Sequence, residues 1–294
     1  YTLWHTLSLH DALPISLRLD SKYGAYMIQV ARSGIPVVVP AEPLCGATAP
    51  MSLAGTLVIE NCDALIHVML TQLARRGTPV VYGCVSSSTD LRDLGYLGGS
   101  VESALINAGT AQLTQYYGIP YYGTAGISDS KTLDTQAGYE SAITNMLVAL
   151  AGADFIHDAA GLMEFALTVS KEKLVIDNEI LGIVSRAVNG IKVNEDTLAL
   201  DEIKKVGPGG SFIHSRHTRK HMRREHYWPK LSDRDSRKVW EADGKQTTAQ
   251  RAHEIVQRML SEMPKFHLPK ELMEGIMEEF PTIAKYNERE VLKA

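Results

Sequence analysis

"IPYYGTAGISDSKTLDTQAGYE", residues 119–140, is the stretch whose reading decides the fold. It starts as a short apolar run behind a proline, passes through Ser128, Asp129, Ser130, Lys131 and Asp134, and ends in residues that open a helix. A strand-to-helix connection needs about 2 to 6 residues, so this polar segment is longer than the turn requires. Excess chain at a strand end is where binding and catalytic residues gather.

The same unit recurs on either side. "IPVVVP" (35–40), "TPVVYGC" (78–84) and "ADFIHDAA" (153–160) are short, β-branched or aromatic runs, apolar on both faces, as strands of a parallel sheet covered on both sides are. Leu53, Leu57, Leu65, Val68, Met69 and Leu73 have helical spacing and predict a helix over 52–76. Further helices are expected over 20–33, 100–117, 134–151 and after the fourth strand to about 189. Three strands follow a Gly-x-Pro signal at Gly34, Gly77 and Gly118: the glycine ends one helix and the proline starts the next strand.

A repeat of roughly 40 residues, with long strand-to-helix loops and very short return loops, predicts an α/β fold of the TIM-type (β/α)8 barrel kind. The active site would then lie on the strand-to-helix face. No G-x-G-x-x-G follows a strand, which weakens a dinucleotide-binding sheet. Residues 17–190 are read as β/α units of the barrel, and 191–294 as its last part and C-terminal helical wrapping. Residues 1–16 lack the basic start and apolar centre of a signal peptide and resemble translated sequencing-adapter DNA. They are set aside as non-native, and the barrel is expected to be incomplete at its N-terminus.

Composition narrows the partners. With 45% hydrophobic residues the chain can bury a large core, and a net charge of -4 supplies no general attraction to nucleic acid or anionic membranes. Three scattered cysteines, Cys45, Cys62 and Cys84, make no disulfide framework, so a reducing, cytoplasmic setting is expected. Apolar runs are broken by Asn61, Asp63, His67 and Gln72, and no membrane insertion is expected.

The candidate substrate residues are Tyr82, Tyr121, Tyr122, Ser128, Asp129, Lys131, Gln136, Glu140, His157 and Asp158, all near strand ends or on the long polar loop. Tyrosine faces attract a quaternary ammonium and carboxylates add charge, although a tyrosine here is more often a packing group. "HSRHTRKH" (214–221) puts His214, His217 and His221 at a spacing able to gather on a metal, but without the usual carboxylate. The preferred reading is a basic patch for a partner, carried by His214, Arg216, His217, Arg219 and Arg223, with no metal. "GYLGGS" (95–100) is read as a tight turn with Ser100 capping a helix. No catalytic residue is assigned.

Several strings taken together resemble the trimethylamine methyltransferase family of corrinoid-dependent enzymes: "GATAPMSLAGTLV" (46–58), "SDSKTLDTQAGYE" (128–140), "LVALAGADFIHDAAG" (147–161), "EKLVIDNEI" (172–180), "VGPGGSFIHSRHT" (206–218) and "YWPKLSDR" (227–234). The resemblance implies a (β/α)8 barrel that moves a methyl group from a methylated amine to the Co(I) of a separate corrinoid protein. No tightly bound cofactor is implied, since the partner carries the cobalamin, and a homo-oligomer is expected. Members acting on trimethylamine carry pyrrolysine. This chain has only the ordinary twenty letters, so a quaternary amine such as a betaine is the expected substrate, with Lys131 or a nearby arginine meeting its carboxylate. A non-catalytic barrel that binds such an amine or the corrinoid partner is the alternative, and methyl transfer from a folate is a third reading.

Overall fold

The computed structural model describes residues 17–92, 94–262 and 268–279. The stretch read as non-native therefore lies outside the described residues, as do parts of the segment read as C-terminal wrapping.

Strands and helices alternate, and the helices over 21–32, 101–117, 135–150 and 171–188 each start on a capping side chain, whereas Ser52 ahead of the helix over 53–74 makes no such bond. Asp20 accepts from the N–H of Lys22 and Tyr23 to open α1 (Ser21–Arg32), and β1 (Val37–Ala41) follows the left-handed turn at Gly34. A two-residue strand, β2 (Leu44–Cys45), precedes α2 (Leu53–Ala74). After β3 (Val80–Cys84) the chain forms a hairpin of β4 (Ser87–Asp90) and β5 (Gly95–Leu97), then α3 (Val101–Tyr117), capped by Ser100. Next come β6 (Tyr121–Thr124) and α4 (Thr135–Leu150), whose cap Asp134 bonds the Ala137 N–H. β7 (Phe155–His157) leads to a small hairpin, β8 (Leu162–Met163) and β9 (Thr168–Val169), and then α5 (Lys171–Val188). Helices follow: α6 (Glu195–Leu198), α7 (Leu200–Val206), α8 (Arg216–Glu225), α9 (Arg237–Ala242) and α10 (Thr248–Glu262). Contacts divide the chain after Val256, and the second unit, Gln257–Ala294, carries α11 (Lys270–Glu279).

The four strands expected from sequence form one parallel sheet in the order β1-β3-β6-β7. Val37 pairs with Val80, Tyr82 with Tyr121, and Thr124 with His157. Gly34, Gly77 and Gly118 have φ of 79°, 84° and 68°, a region that only glycine enters cheaply, so each return loop is as short as its sequence indicates. Because the strand order never reverses, right-handed crossovers place successive helices on the same face.

That face holds the core. Val37 and Val39 pack with Met27 and Ala31, and Ala41, Tyr82, Cys84 and Tyr121 pack with Ala64, Ile106 and Ala111. α2 is long and apolar enough to cross a membrane, yet it packs on α1, α3, β1 and β3. The opposite face differs from the expectation of a sheet covered on both sides: Val38, Val81 and Tyr122 are only partly buried and Phe155 is 57% exposed.

The β2-β4-β5 sheet, with β2 parallel and β5 antiparallel to β4, was not expected, because residues 85–100 read as a polar loop. Its hydroxyls bond one another instead of water. Ser87 Oγ meets Ser103 Oγ at 2.8 Å, Ser88 Oγ meets Ser100 Oγ at 2.7 Å, and Ser103 Oγ donates to the Leu97 carbonyl at 2.7 Å. Pairing makes a buried polar run tolerable, although the Thr89 hydroxyl of β4 is buried without a partner, and composition alone does not reveal that pairing.

Candidate active site

The residues that follow the strand ends converge at the uncovered face of the sheet. Side chains alternate along a strand, so Val38, Pro40 and Glu42 fall opposite to the core-facing Val37, Val39 and Ala41. On β6, Tyr122 and Thr124 fall opposite to Tyr121, and on β7 Phe155 and His157 share that open face.

Tyr122 stacks on two rings of β7, Phe155 (centroids 5.3 Å apart) and His157 (4.7 Å). Thr124 Oγ1 donates to the Cys84 carbonyl at 2.8 Å and meets His157 Nδ1 at 2.9 Å. A hydroxyl has one hydrogen; with it on the carbonyl, Nδ1 donates to Oγ1. That contact leaves Nε2 facing Asp158 Oδ2, 2.9 Å away. Asp158 itself is held at φ 58°, a left-handed conformation that aspartate tolerates better than most residues but that still costs energy.

Glu42 directly follows β1, at the opposite edge of the sheet from β7. Burial, foremost, pushes its carboxyl up to about 7; His157 draws it down and Asp158 pushes it up. Tyr96 of β5 is also within reach: burial first, then the Glu42, Asp158, Cys84 and Asp129 charges, push its phenol well up.

The long polar loop turns out to be braced from within. Glu140 Oε2 accepts from Ser128 Oγ (2.7 Å) and the Asp129 N–H (2.8 Å), and Oε1 accepts from Gln136 Nε2 (2.7 Å). Asp129 Oδ1 accepts from the Gly99 N–H at 3.2 Å, and a Cβ on Gly99 would stand 2.6 Å from Glu140 Oε2, so the "GYLGGS" turn is glycine where it must touch this loop. Burial pushes Asp129 up to about 6, against the pull of the Gly99 N–H. Lys131 Nζ donates to the Asp129 carbonyl at 2.8 Å and lies 4.0 Å over the Phe165 ring, so the lysine expected to meet a substrate carboxylate is engaged within its own loop.

The expected site residues therefore divide. Tyr122, His157 and Asp158 come together on the open face, and Ser128, Asp129, Gln136 and Glu140 form the brace beside it. Tyr82 and Tyr121 are placed elsewhere: 0% and 1% exposed, they turn into the helix layer, where Tyr82 Oη donates to Asn61 Oδ1 (3.3 Å) and Tyr121 Oη to the Asn107 carbonyl (2.9 Å). Adjacent strand residues cannot share a face, so Tyr121 and Tyr122 could not both have lined one site. Tyr82→Phe and Tyr121→Phe should each cost about 1 kcal/mol of stability and leave the affinity for an amine unchanged, as denaturant melts and ligand titrations of the two variants would show.

Sequence reading passed over Glu42 and Tyr96. The signal for Glu42 was available: it is the first residue past a strand, as Asp158 is past β7. Tyr96 gave no local sign, since it reaches the site through a hairpin.

On α8 the basic residues separate by side. His214, Arg216, Arg219 and Arg223 are exposed. His217 and His221 stack 4.2 Å apart against α6, where His217 Nε2 contacts the Asp196 carbonyl and His221 Nε2 lies 3.2 Å from Asp196 Oδ2. Among the described residues no three His, Cys, Asp or Glu side chains gather as a metal site would require. A cleft beside α8, about 340 Å³ and lined by Arg186, Asn194, Asp196, His221, Arg224 and Glu225, has much of its charge paired internally through Arg186–Glu225 and Asp196–His221.

The model of the trimethylamine methyltransferase family matches residues 14–286. The chain belongs to that family. It is 40% identical over 245 residues to a glycine betaine methyltransferase of Desulfitobacterium hafniense strain Y51, covering 83% of this chain and 51% of the relative. It is 40% identical over 266 residues to a trimethylamine methyltransferase of Desulfitobacterium hafniense strain DSM 10664 / DCB-2 (90% and 53%). Over 230 residues it is 42% identical to the trimethylamine methyltransferase of Methanosarcina thermophila (78% and 47%). The chain thus spans about half the length of these curated relatives. Within this trimethylamine methyltransferase family member, two of the strings that carried the resemblance hold each other in place: Glu179 of "EKLVIDNEI" accepts from the N–H groups of Lys230 (2.7 Å), Leu231 (2.6 Å) and Ser232 (2.6 Å) of "YWPKLSDR".

Proposed function

We propose that this chain is part of a (β/α)8 barrel methyltransferase that takes a methyl group from a quaternary amine such as a betaine and passes it to the Co(I) of a cytoplasmic corrinoid protein. The observation that carries this reading is the partly exposed aromatic cluster of Tyr122, Phe155 and His157 beside the Asp158 carboxyl. An aromatic face flanked by negative charge fits a bulky organic cation. The unreversed strand order fits a barrel arc, in which substrates bind at the C-terminal strand ends. Relatives named for glycine betaine and for trimethylamine agree in carrying methylated amines.

A corrinoid supplies a nucleophilic cobalt that the protein itself need not create. The methyl carbon bonds to cobalt as its bond to nitrogen breaks, and the electron pair leaves with nitrogen as a neutral tertiary amine. No general acid is required, so the work of the site is to hold and orient the cation. The Tyr122 cluster and Asp158 do this, while the Glu140 brace keeps the loop rigid beside them. The exposed Arg216, Arg219 and Arg223 would offer an acidic corrinoid protein a positive docking surface.

The test is methylation of free Co(I) cobalamin by glycine betaine, choline and trimethylamine, followed by its visible spectrum. Methylcobalamin should form with a quaternary amine. Tyr122→Ala should then raise the KM for it between about 2- and 30-fold, as a contact of 0.5 to 2 kcal/mol implies. Binding of the amine without methyl transfer would favour the non-catalytic alternative.

A further inference from the structure

His157 joins the aromatic and the charged part of the candidate site. Its ring stacks 4.7 Å from that of Tyr122, and its Nε2 lies 2.9 Å from Asp158 Oδ2. The ring is pinned at its other nitrogen, where Nδ1 and Thr124 Oγ1 are 2.9 Å apart and Oγ1 is 2.8 Å from the Cys84 carbonyl. A ring nitrogen and a carboxylate oxygen this close share a hydrogen, so Nε2–H donates to Oδ2. Neighbouring side chains on a strand point to opposite faces, and Asp158 reaches the ring before it because its φ of 58° turns the chain out of β7. Such strain persists where the surroundings hold it, and it gathers at functional sites. The His157 side chain is 11% exposed and that of Asp158 33%, so the histidine stands inside the wall of the site and the carboxylate at its surface. Asp158 Oδ1 makes no hydrogen bond among the described residues. The Tyr122 phenol feels the same carboxylate: burial first, then the Asp158 charge, push it up to about 12.

From this arrangement we infer that His157 is a positioning residue: held by Thr124, it fixes one oxygen of Asp158 and the ring of Tyr122, so that the other oxygen and the exposed part of the ring meet the same quaternary ammonium. The inference rests on the amine-binding reading above and adds how the aromatic and charged parts of that site are kept in register. The physical reason is preorganisation. A carboxylate that must be ordered as the ligand arrives costs affinity, and a hydrogen bond already in place removes that cost. Cation–π attraction likewise depends on where the ring stands relative to the cation, and the stacked imidazole sets that position. Thr124 acts one step further back, because its hydroxyl lies against the Cys84 carbonyl of β3 and so ties the imidazole to the sheet.

The experiment is calorimetric titration of the intact chain and its variants with glycine betaine and with choline, a quaternary cation without a carboxylate, alongside thermal melts. His157→Phe keeps a ring against Tyr122 but offers no hydrogen to Asp158, and should bind both cations about 3- to 10-fold more weakly. Thr124→Val should weaken binding by a similar factor, and Thr124→Ser should restore it. Added to His157→Phe, Thr124→Val should have no further effect on affinity, because residues that act through one contact do not add. Asp158→Asn accepts the left-handed turn as aspartate does and should lose about tenfold in affinity. Asp158→Gly should lose as much while melting no lower than the native chain, since glycine is unstrained there; a residue that served the fold alone would lower the melting temperature and leave affinity intact. Native affinity in His157→Phe, or a Thr124→Val loss that is the same with and without His157, would overturn the inference while leaving amine recognition standing. No binding of either cation by the native chain would overturn both.

Discussion

Asp177→Asn is expected to destabilise the chain by about 3 to 5 kcal/mol, the cost of leaving one partner of a buried ion pair without its counter-charge. Lys173 and Asp177 are each 1% exposed and stand one helical turn apart on α5. Lys173 Nζ reaches Asp177 Oδ2 at 2.5 Å and the Gly126 carbonyl at 3.0 Å, and Asp177 also accepts from Ser141 Oγ (2.7 Å) and the Gly161 N–H (2.8 Å). Asparagine keeps the shape but turns two amide hydrogens towards these donors and leaves the ammonium buried. Urea denaturation of the variant would measure the loss, and a change below about 1 kcal/mol would mean that water reaches Lys173. The double variant Lys173→Met with Asp177→Leu should recover much of the stability, because an apolar pair of similar volume avoids the desolvation cost. Since Gly126 and Gly161 flank the segments that carry Ser128 and Asp158, amine affinity should fall in the single variant as well.

Glu179→Ala is the second large effect, on the order of 3 kcal/mol, because several hydrogen bonds to one carboxylate are lost together. The Lys230, Leu231 and Ser232 N–H groups and the Ser232 hydroxyl all donate to it. Burial works to raise its carboxyl, but the Ser232 hydroxyl and these three N–H groups outweigh it and hold the group below its ordinary 4.5. A depressed carboxyl stabilises the folded state above its unfolded value and ceases to do so as the pH falls through the folded one. The segment 227–234 should therefore loosen in acid below about pH 4.5 in the native chain, and at all pH values in the variant. Amide exchange of Leu231 and Ser232 would report both; protection unchanged by the substitution would show that other contacts hold the segment.

Much of the architecture could be read without coordinates, for local reasons. Ser52, Ser100 and Asp134 stand where helix N-termini need a cap, and Gly34, Gly77 and Gly118 supply left-handed turns that other residues resist. The β4–β5 and β8–β9 hairpins escaped because their strands are only two to four residues long, and they form through pairings such as Ser88 with Leu97 and Met163 with Thr168. Phe165 and its neighbours Glu164 and Ala166, all at positive φ, carry no glycine to announce the turn.

For the site, sequence alone determined that polar chain is concentrated at the strand ends, and which family this is, because both are properties of consecutive residues. Tertiary structure decided how that polarity is used. Glu140 closes on Ser128, Asp129 and Gln136 and so becomes a brace, while Tyr82 and Tyr121 face the helices and Tyr122 faces the open side. Thr124 meets His157, 33 positions away, only because β6 and β7 pair. Such a contact depends on strand pairing between distant segments, and no local pattern records a distance of that kind.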